Sequence, residues 1–135
     1  MIRYNIFWRL KLISKNVKLL VVDDNTQIRN LICLSFKRQP NVEVFEAENG
    51  AQGFEQFQTL HPDIVLSDVM MPGDMDGLSL CKQIKASNHP CPVILISGKG
   101  QQRDIDLGMQ SGADMYKVKP FSPSELIDIV EKFVA

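Results

Sequence analysis

The chain has 135 residues, 44% of them hydrophobic and 23% charged, which is the balance of a single globular domain. No apolar run approaches the ~20 residues of a membrane-spanning helix, and this length supports a core without disulfide or structural metal. The formal net charge of −1 conceals an asymmetry: Arg3, Arg9, Lys11 and Lys15 stand in residues 1–17 without an acid, leaving 11 basic against 16 acidic residues in 18–135, a net of −5. An acidic body argues against direct nucleic-acid binding.

Residues 1–17 form a basic and aromatic N-terminal extension ahead of a domain spanning 18–135. Its residues Ile2, Tyr4, Ile6, Trp8, Leu10 and Leu12 alternate, with Phe7 and Ile13 added. That pattern suits an extra edge strand, an interfacial or partner-binding segment, or simply residues from an upstream start. It is too polar to span a membrane and carries no small-residue cleavage site. Membrane contact is therefore expected only through this segment, if anywhere.

From residue 18 onward, short β-branched runs alternate with helix-length amphipathic stretches. The first run is Leu19–Val22, followed by Ile28, Leu31, Ile32 and Phe36 at helical spacing. Val42–Phe45 alternates through Glu43 and reads as an edge strand; Phe54, Phe57 and Leu60 then share a helical face. Ile64–Leu66 and Val93–Ile96 are continuously apolar, as central parallel strands covered on both faces should be. Leu80 and Ile84 mark the helix between them, and Ile105 and Met109 the next. After Met115–Val118, Ser122-Pro123-Ser124-Glu125 supplies an N-cap serine, a proline at the first helical position and a capping-box glutamate. Leu126, Ile129, Val130 and Phe133 make that helix's stripe. Five strands and five helices in strict alternation predict an α/β (βα)5 fold, a doubly wound five-stranded parallel sheet. The flavodoxin-like order 2-1-3-4-5 is adopted from the fold class.

In such sheets chemistry gathers beyond the carboxyl ends of the strands. The first run ends in Asp23-Asp24, the third in Ser67-Asp68, the fourth in Ser97 and the fifth in Lys119. Asp63 lies at the opposite end of the third strand, ~17 Å from Asp68 at ~3.3 Å per residue, and reads as a turn residue. Three carboxylates on one edge repel; a pair 4 Å apart costs ~4 kcal/mol at an effective dielectric of 20. Lys119 offsets part of this, and a hard divalent cation with oxygen ligands, Mg²⁺ rather than zinc, offsets it better. Capping of the following helix by Asp23-Asp24 is the simpler alternative, weakened by the company of Asp68, Ser97 and Lys119.

These same residues carry a resemblance. Residues 18–135 are similar to the receiver domain of two-component response regulators (CheY-like) in Leu20-Val21-Val22-Asp23-Asp24, Asp68-Val69-Met70-Met71-Pro72, Met75-Asp76-Gly77, Ser97-Gly98 and Gly112 through Phe121. The resemblance implies a phosphoprotein signalling module of the cytoplasm, not an enzyme. Asp68 would accept a phosphoryl group from a sensor histidine kinase or a histidine phosphotransfer protein, giving a 4-aspartylphosphate. Asp24, Asp68 and the backbone carbonyl of Met70 would hold Mg²⁺, with Asp23 acting mainly through water. Lys119 would neutralise phosphoryl oxygens through a segment with a cis Lys119-Pro120 bond, and Ser97 and Tyr116 would form the switch. Residues 101–135 would supply the output face for a downstream protein target or for a homodimer. Met70 and Lys99 occupy positions that tune phosphoryl lifetime, and bulky Met70 is expected to slow attack by water.

Two departures stand out. Pro72–Gly77 is one residue longer than the commoner spacing, and the switch hydroxyl is serine, which lacks the methyl that restricts threonine. A degenerate receiver acting as an unphosphorylated protein-binding module is the alternative function. A flavin-binding protein of the same fold would want a Ser/Thr/Gly-rich phosphate loop where Asp23-Asp24 stand. An aspartyl phosphatase would want an acid where Met70 stands, and Gly98-Lys99-Gly100 lacks the rest of a nucleotide-binding loop. The last helix is followed by no effector sequence, as expected of a stand-alone receiver or a piece of a longer regulator. Cys33, Cys81 and Cys91 show no metal spacing and read as small buried hydrophobes of a reducing compartment. His61 and His89, each beside a proline, read as solvated loop residues.

Overall fold

The computed structural model describes residues 12–134. Side chains alternate across a strand, so five apolar runs give the sheet two apolar faces. The strands are β1 (Val17–Val22), β2 (Val42–Ala47), β3 (Ile64–Asp68), β4 (Val93–Ser97) and β5 (Met115–Val118). The helices between and after them are α1 (Thr26–Ser35), α2 (Gly50–Leu60), α3 (Gly77–Lys85), α4 (Gln102–Gln110) and α5 (Pro123–Val134). All pairings are parallel, in the order β2-β1-β3-β4-β5. The (βα)5 expectation, the strand order and the edge position of β2 therefore hold.

On one face, Leu19, Val21, Ile64, Leu66, Ile94 and Ile96 pack with Ile32 and Phe36 of α1 and Leu126, Ile129 and Val130 of α5. On the other, Leu20, Val22, Val65 and Leu95 pack with Phe57 of α2 and Leu80 and Ile84 of α3. Each such leucine or isoleucine contributes ~1.5–3 kcal/mol when fully buried. This is why the central strands show no polar alternation. Ile13, outside the segment expected to fold as the domain, is 3% exposed in the first cluster, and β1 itself begins at Val17. Residues 1–11, on which most of the N-terminal extension's alternation falls, lie outside the described residues.

Polar groups fasten the ends of the elements. Asp63 accepts from the Lys18 backbone N–H at 2.7 Å, a turn role at the amino end of the sheet. Lys85 Nζ lies 2.6 Å from Asp114, whose Oδ2 also accepts from the Val93 N–H. At α5 the capping box forms as expected: Glu125 N–H donates to Ser122 Oγ, and Ser122 N–H to Glu125 Oε1. The Lys117 ammonium also pairs with Glu125. Together these donors hold the Glu125 carboxyl below its ordinary value, the Lys117 hydrogen bond most of all.

Three local expectations are corrected. His89 is not a solvated loop group: its ring stacks on His61 at 3.7 Å and on Phe57 at 4.9 Å, and Nε2 is buried without a hydrogen-bond partner. Its ring thus lies against α2, through Phe57, and against His61 at that helix's C-terminal end. On α4, Met109 is 44% exposed, and the buried residue is Gly108. A Cβ there would stand 2.4 Å from the Tyr116 ring, so the helix approaches β5 by omitting a side chain. On α1, Leu31 is 42% exposed, and the inward face runs through Arg29, Ile32 and Ser35. The cysteines follow expectation in being free, with Cys81 and Cys91 buried; burial pushes the Cys91 thiol up to about 12. Cys33 is only half-buried. Among the described residues, no helix is long and apolar enough to cross a membrane.

Candidate functional site

Parallel strands deliver their last residues to one edge, and here that edge carries the acids. Asp23 and Asp24 follow the end of β1, and Asp68 closes β3. One carboxylate oxygen from each lies within 4.8 Å of the others. Lys119, one residue past β5, brings Nζ to 3.5 Å from Asp23 Oδ2 and 3.7 Å from Asp68 Oδ1. Three carboxylates face one ammonium, so the cluster carries an uncompensated negative charge when fully ionised. The energetic mark of this falls on Asp68. Burial pushes its carboxyl above the ordinary range, the Asp23 carboxylate adds to the shift, and Lys119 and the Val69 N–H offset only part.

The surrounding backbone fixes each carboxylate. Asp23 is 4% exposed; its Oδ1 accepts from Asn25 N–H at 2.8 Å, and Asn25 in turn caps α1 by accepting from the Gln27 and Ile28 N–H groups. Asp68 Oδ1 accepts from Val69 N–H at 2.9 Å. Behind Asp68, Gly77 N–H donates to Val69 O at 2.8 Å, and a Cβ on Gly77 would lie 2.0 Å from Asp68 O. The backbone at the start of α3 thus sits where no side chain fits, held further by Asp76, whose carboxylate accepts from Ser79 N–H. The longer loop Pro72–Gly77 turns through Gly73 at φ 96° and leaves the carboxylates in place.

Ser97, the last residue of β4, is 2% exposed, and its carbonyl accepts from Lys119 N–H at 2.8 Å. That ladder bond ties Lys119 to β4 beside the Lys119-Pro120 peptide, which is cis as the resemblance implied. Ser97 Oγ accepts from Lys99 N–H at 3.1 Å, while the Tyr116 hydroxyl donates to Lys99 O at 2.8 Å. The hydroxyl and the aromatic ring are thus joined through the two sides of one residue, Lys99. Met70 lies in the loop two residues past Asp68 with its side chain 57% exposed.

Every side chain singled out from the sequence for the acidic site reaches this edge. Gly77 was read there only within the Met75-Asp76-Gly77 motif, without its close approach to the Asp68 backbone. The residue that went unnoticed is Arg29, buried to 6% exposure on the inward face of α1. Its guanidinium donates to the Asp23 backbone carbonyl at 2.6 Å and Thr26 Oγ1 at 3.2 Å, and pairs with Glu46 at 3.1 Å and Glu48 at 3.6 Å. An arginine three residues before Ile32 and seven before Phe36, in phase with the apolar stripe, was the available signal.

The donor set suits a hard cation. All three side chains present oxygen, no cysteine or histidine joins them among the described residues, and the excess charge is negative. The residues present therefore fit Mg²⁺ on chemistry as well as on charge.

Comparison with known proteins gives the family. Residues 19–131 match the family described as "Response regulator receiver domain". The chain is 38% identical over 114 residues to the transcriptional regulatory protein ResD of Bacillus subtilis, covering 84% of this chain and 46% of that one. It is 36% identical over 111 residues to the alkaline phosphatase synthesis transcriptional regulatory protein PhoP of the same organism, covering 82% and 45%. The chain thus spans about half the length of the curated relatives it matches. Among solved structures, the receiver domain of the Francisella response regulator 1452 superposes with a TM-score of 0.81 at 34% identity, covering 88% of this chain and 97% of that one.

Proposed function

The chain belongs to the response regulator receiver domain family of two-component systems, CheY-like in fold, and from that premise we propose that Asp68 is its phosphoryl acceptor. Receivers of this family are signalling modules rather than enzymes in the ordinary sense. The observation that carries the reading is the meeting of Asp23, Asp24 and Asp68 within 4.8 Å, with Lys119 Nζ 3.7 Å from Asp68.

The step is a transfer between partners of defined chemistry. A carboxylate oxygen of Asp68 attacks phosphorus on a phosphohistidine of a sensor kinase or phosphotransfer protein. The phosphorus–oxygen bond forms as the phosphorus–nitrogen bond breaks, and the bonding pair leaves with the imidazole. Asp68 Oδ1 is held by Val69 N–H, while no hydrogen bond reaches Oδ2 among the described residues, which makes Oδ2 the better nucleophile. Lys119 supplies positive charge to the phosphoryl oxygens without moving far. Asp24, Asp68 and the Met70 carbonyl would hold Mg²⁺, with Asp23 acting through water. When bound, the ion neutralises charge that develops on the transferring group.

Readout follows from the same contacts. A phosphoryl group on Asp68 accepts from the Ser97 hydroxyl, which turns toward it and draws Oγ away from the Lys99 N–H. Lys99 moves, the Tyr116 hydroxyl loses its acceptor, and the ring repacks against Gly108 and the start of the output face on α4, β5 and α5. The target is a downstream protein or a further part of a longer regulator, and the location is the cytoplasm. Intact-mass spectrometry after incubation with Mg²⁺ and acetyl phosphate tests the proposal. One phosphoryl adduct that requires the metal and vanishes in Asp68→Asn supports it. Failure to take phosphate from acetyl phosphate and from phosphohistidine donors alike would leave the protein-binding module instead.

A further inference from the structure

Among the described residues, Arg29 is the only buried base. Taking a guanidinium out of water is unfavourable unless charge and hydrogen bonds replace the solvent, and here all three nitrogens are engaged. Nε donates to Glu46 Oε1 at 3.1 Å and Nη1 to the Asp23 carbonyl at 2.6 Å. Nη2 donates to Thr26 Oγ1 at 3.2 Å and stands 3.6 Å from Glu48 Oε1. The side chains of Glu46 and Glu48 are 42% and 68% exposed and already match the charge of Arg29. What Arg29 adds is therefore direction: a planar fork fixes where the Asp23 carbonyl lies.

That carbonyl belongs to the peptide joining Asp23 to Asp24. A peptide unit is planar, so holding its oxygen also sets the Cα from which the Asp24 side chain starts. On the other side of Asp23, its N–H donates to the Ala47 carbonyl at 3.1 Å and ties the chain to β2. The bond from Asn25 N–H to Asp23 Oδ1 is internal to the turn and would travel with it. Something must hold this turn from outside. Three carboxylates with oxygens within 4.8 Å of one another face one ammonium, and their repulsion drives the Asp23-Asp24 turn away from Asp68. Arg29 opposes that displacement from the first turn of α1, where its own N–H donates to the Asn25 carbonyl at 3.1 Å, and it is braced on Glu46 of β2.

We propose that Arg29 is a positioning residue of the cation site: its fork holds the Asp23–Asp24 peptide against the repulsion of the acids, so that Asp24 stands in place before an ion arrives. The inference rests on the reading of this edge as a Mg²⁺-dependent acceptor site. Ligands arranged in advance need not be gathered on binding, so Arg29 sets the affinity for the ion and not the chemistry at Asp68.

A Mg²⁺ titration followed in ¹H–¹⁵N correlation spectra reads the amides of this edge and the integrity of the fold together. Adduct formation with acetyl phosphate is measured by intact mass over the same range of metal. Arg29→Gln should weaken Mg²⁺ binding by roughly tenfold, while adduct formation at saturating Mg²⁺ returns to that of the unmodified protein. Arg29→Lys keeps the charge without the fork and should be weakened to a similar extent. Glu46→Ala, at an exposed position, leaves Arg29 in place but unbraced, and should weaken binding by less than Arg29→Gln. Ile13→Ala, which loosens the core ahead of the amino end of β1, should leave the affinity unchanged, and so separates positioning from loss of stability. Unchanged affinity in Arg29→Gln, or in Glu46→Ala should Arg29→Gln not fold, overturns the proposal. Arg29→Lys at the unmodified affinity also overturns it, because charge would then suffice, as does adduct formation that saturating Mg²⁺ fails to restore. Edge amides of the unmodified protein that do not respond to Mg²⁺ at all would overturn the metal reading itself, and this inference with it.

Discussion

Asp68 is the residue on which the competing effects meet. Burial and the Asp23 carboxylate raise its pKa, and Lys119 at 3.7 Å does not restore it. A carboxyl held above its unfolded value favours the fold fully only below about pH 3.8, and that contribution is lost as pH rises through the folded pKa. At neutral pH without divalent metal, the ionised Asp68 therefore opposes folding. Asp68→Asn should raise the metal-free thermal midpoint by roughly 2–5 °C, on the order of 1 kcal/mol. Added Mg²⁺ should raise the midpoint of the unmodified protein more than that of the variant. Calorimetry with and without chelator checks both; a lower midpoint for Asp68→Asn would mean that Lys119 outweighs the repulsion. Met70 lies two residues past Asp68 and is 57% exposed, and its proposed role is to slow attack by water. Phosphorylated Met70→Asn should lose its phosphoryl group severalfold faster, as followed by intact mass. The acids and Lys119 were legible because strand ends in a parallel sheet share an edge. Arg29 offered only its phase with the apolar stripe, and its partners Glu46, Glu48 and the Asp23 carbonyl come with the fold.

At the scale of elements, close approach and capping decide what the helices do. α3 begins against the Asp68 carbonyl, 2.0 Å from where a Gly77 Cβ would lie, and both neighbours are backbone that cannot swing aside. Gly77→Ala should destabilise by about 2–3 kcal/mol and reduce phosphoryl acceptance as Asp68 is displaced, measured by urea denaturation and adduct yield. A variant of unchanged stability would mean the loop yields more easily than this contact allows. α5 depends on its box: Ser122→Ala should cost about 1 kcal/mol. The Glu125 contribution has the opposite pH sign to that of Asp68. Its pKa is lowered, so the stabilisation is present above about pH 4.5 and lost as pH falls through the folded value. Capping was readable because it is local. The inward faces of α1 and α4 were read only in part, because Leu31, Met109 and Gly108 are decided by how closely neighbouring elements approach, which periodicity does not encode.

For the whole molecule, one arrangement serves both stability and chemistry. The order β2-β1-β3-β4-β5 puts β1 and β3 side by side, and with them the acids that repel. Each strand's apolar interior holds that edge in place from both faces. Architecture was legible from alternating runs, whereas strand order came from the fold class and not from any residue. The start of the packed unit was harder to see. Ile13, read as part of the basic and aromatic extension, is 3% exposed in the core, and Ile13→Ala should cost about 2–4 kcal/mol by denaturant titration. The central claim is that this edge is built around one acceptor. Its most direct test is to phosphorylate the protein with acetyl phosphate and Mg²⁺, trap the acyl phosphate with hydroxylamine and locate the hydroxamate by peptide mapping. The account predicts modification at Asp68 alone, lost in Asp68→Asn and weakened in Lys119→Ala. Modification at Asp23 or Asp24 in the unmodified protein, or adduct that survives hydroxylamine, would contradict it.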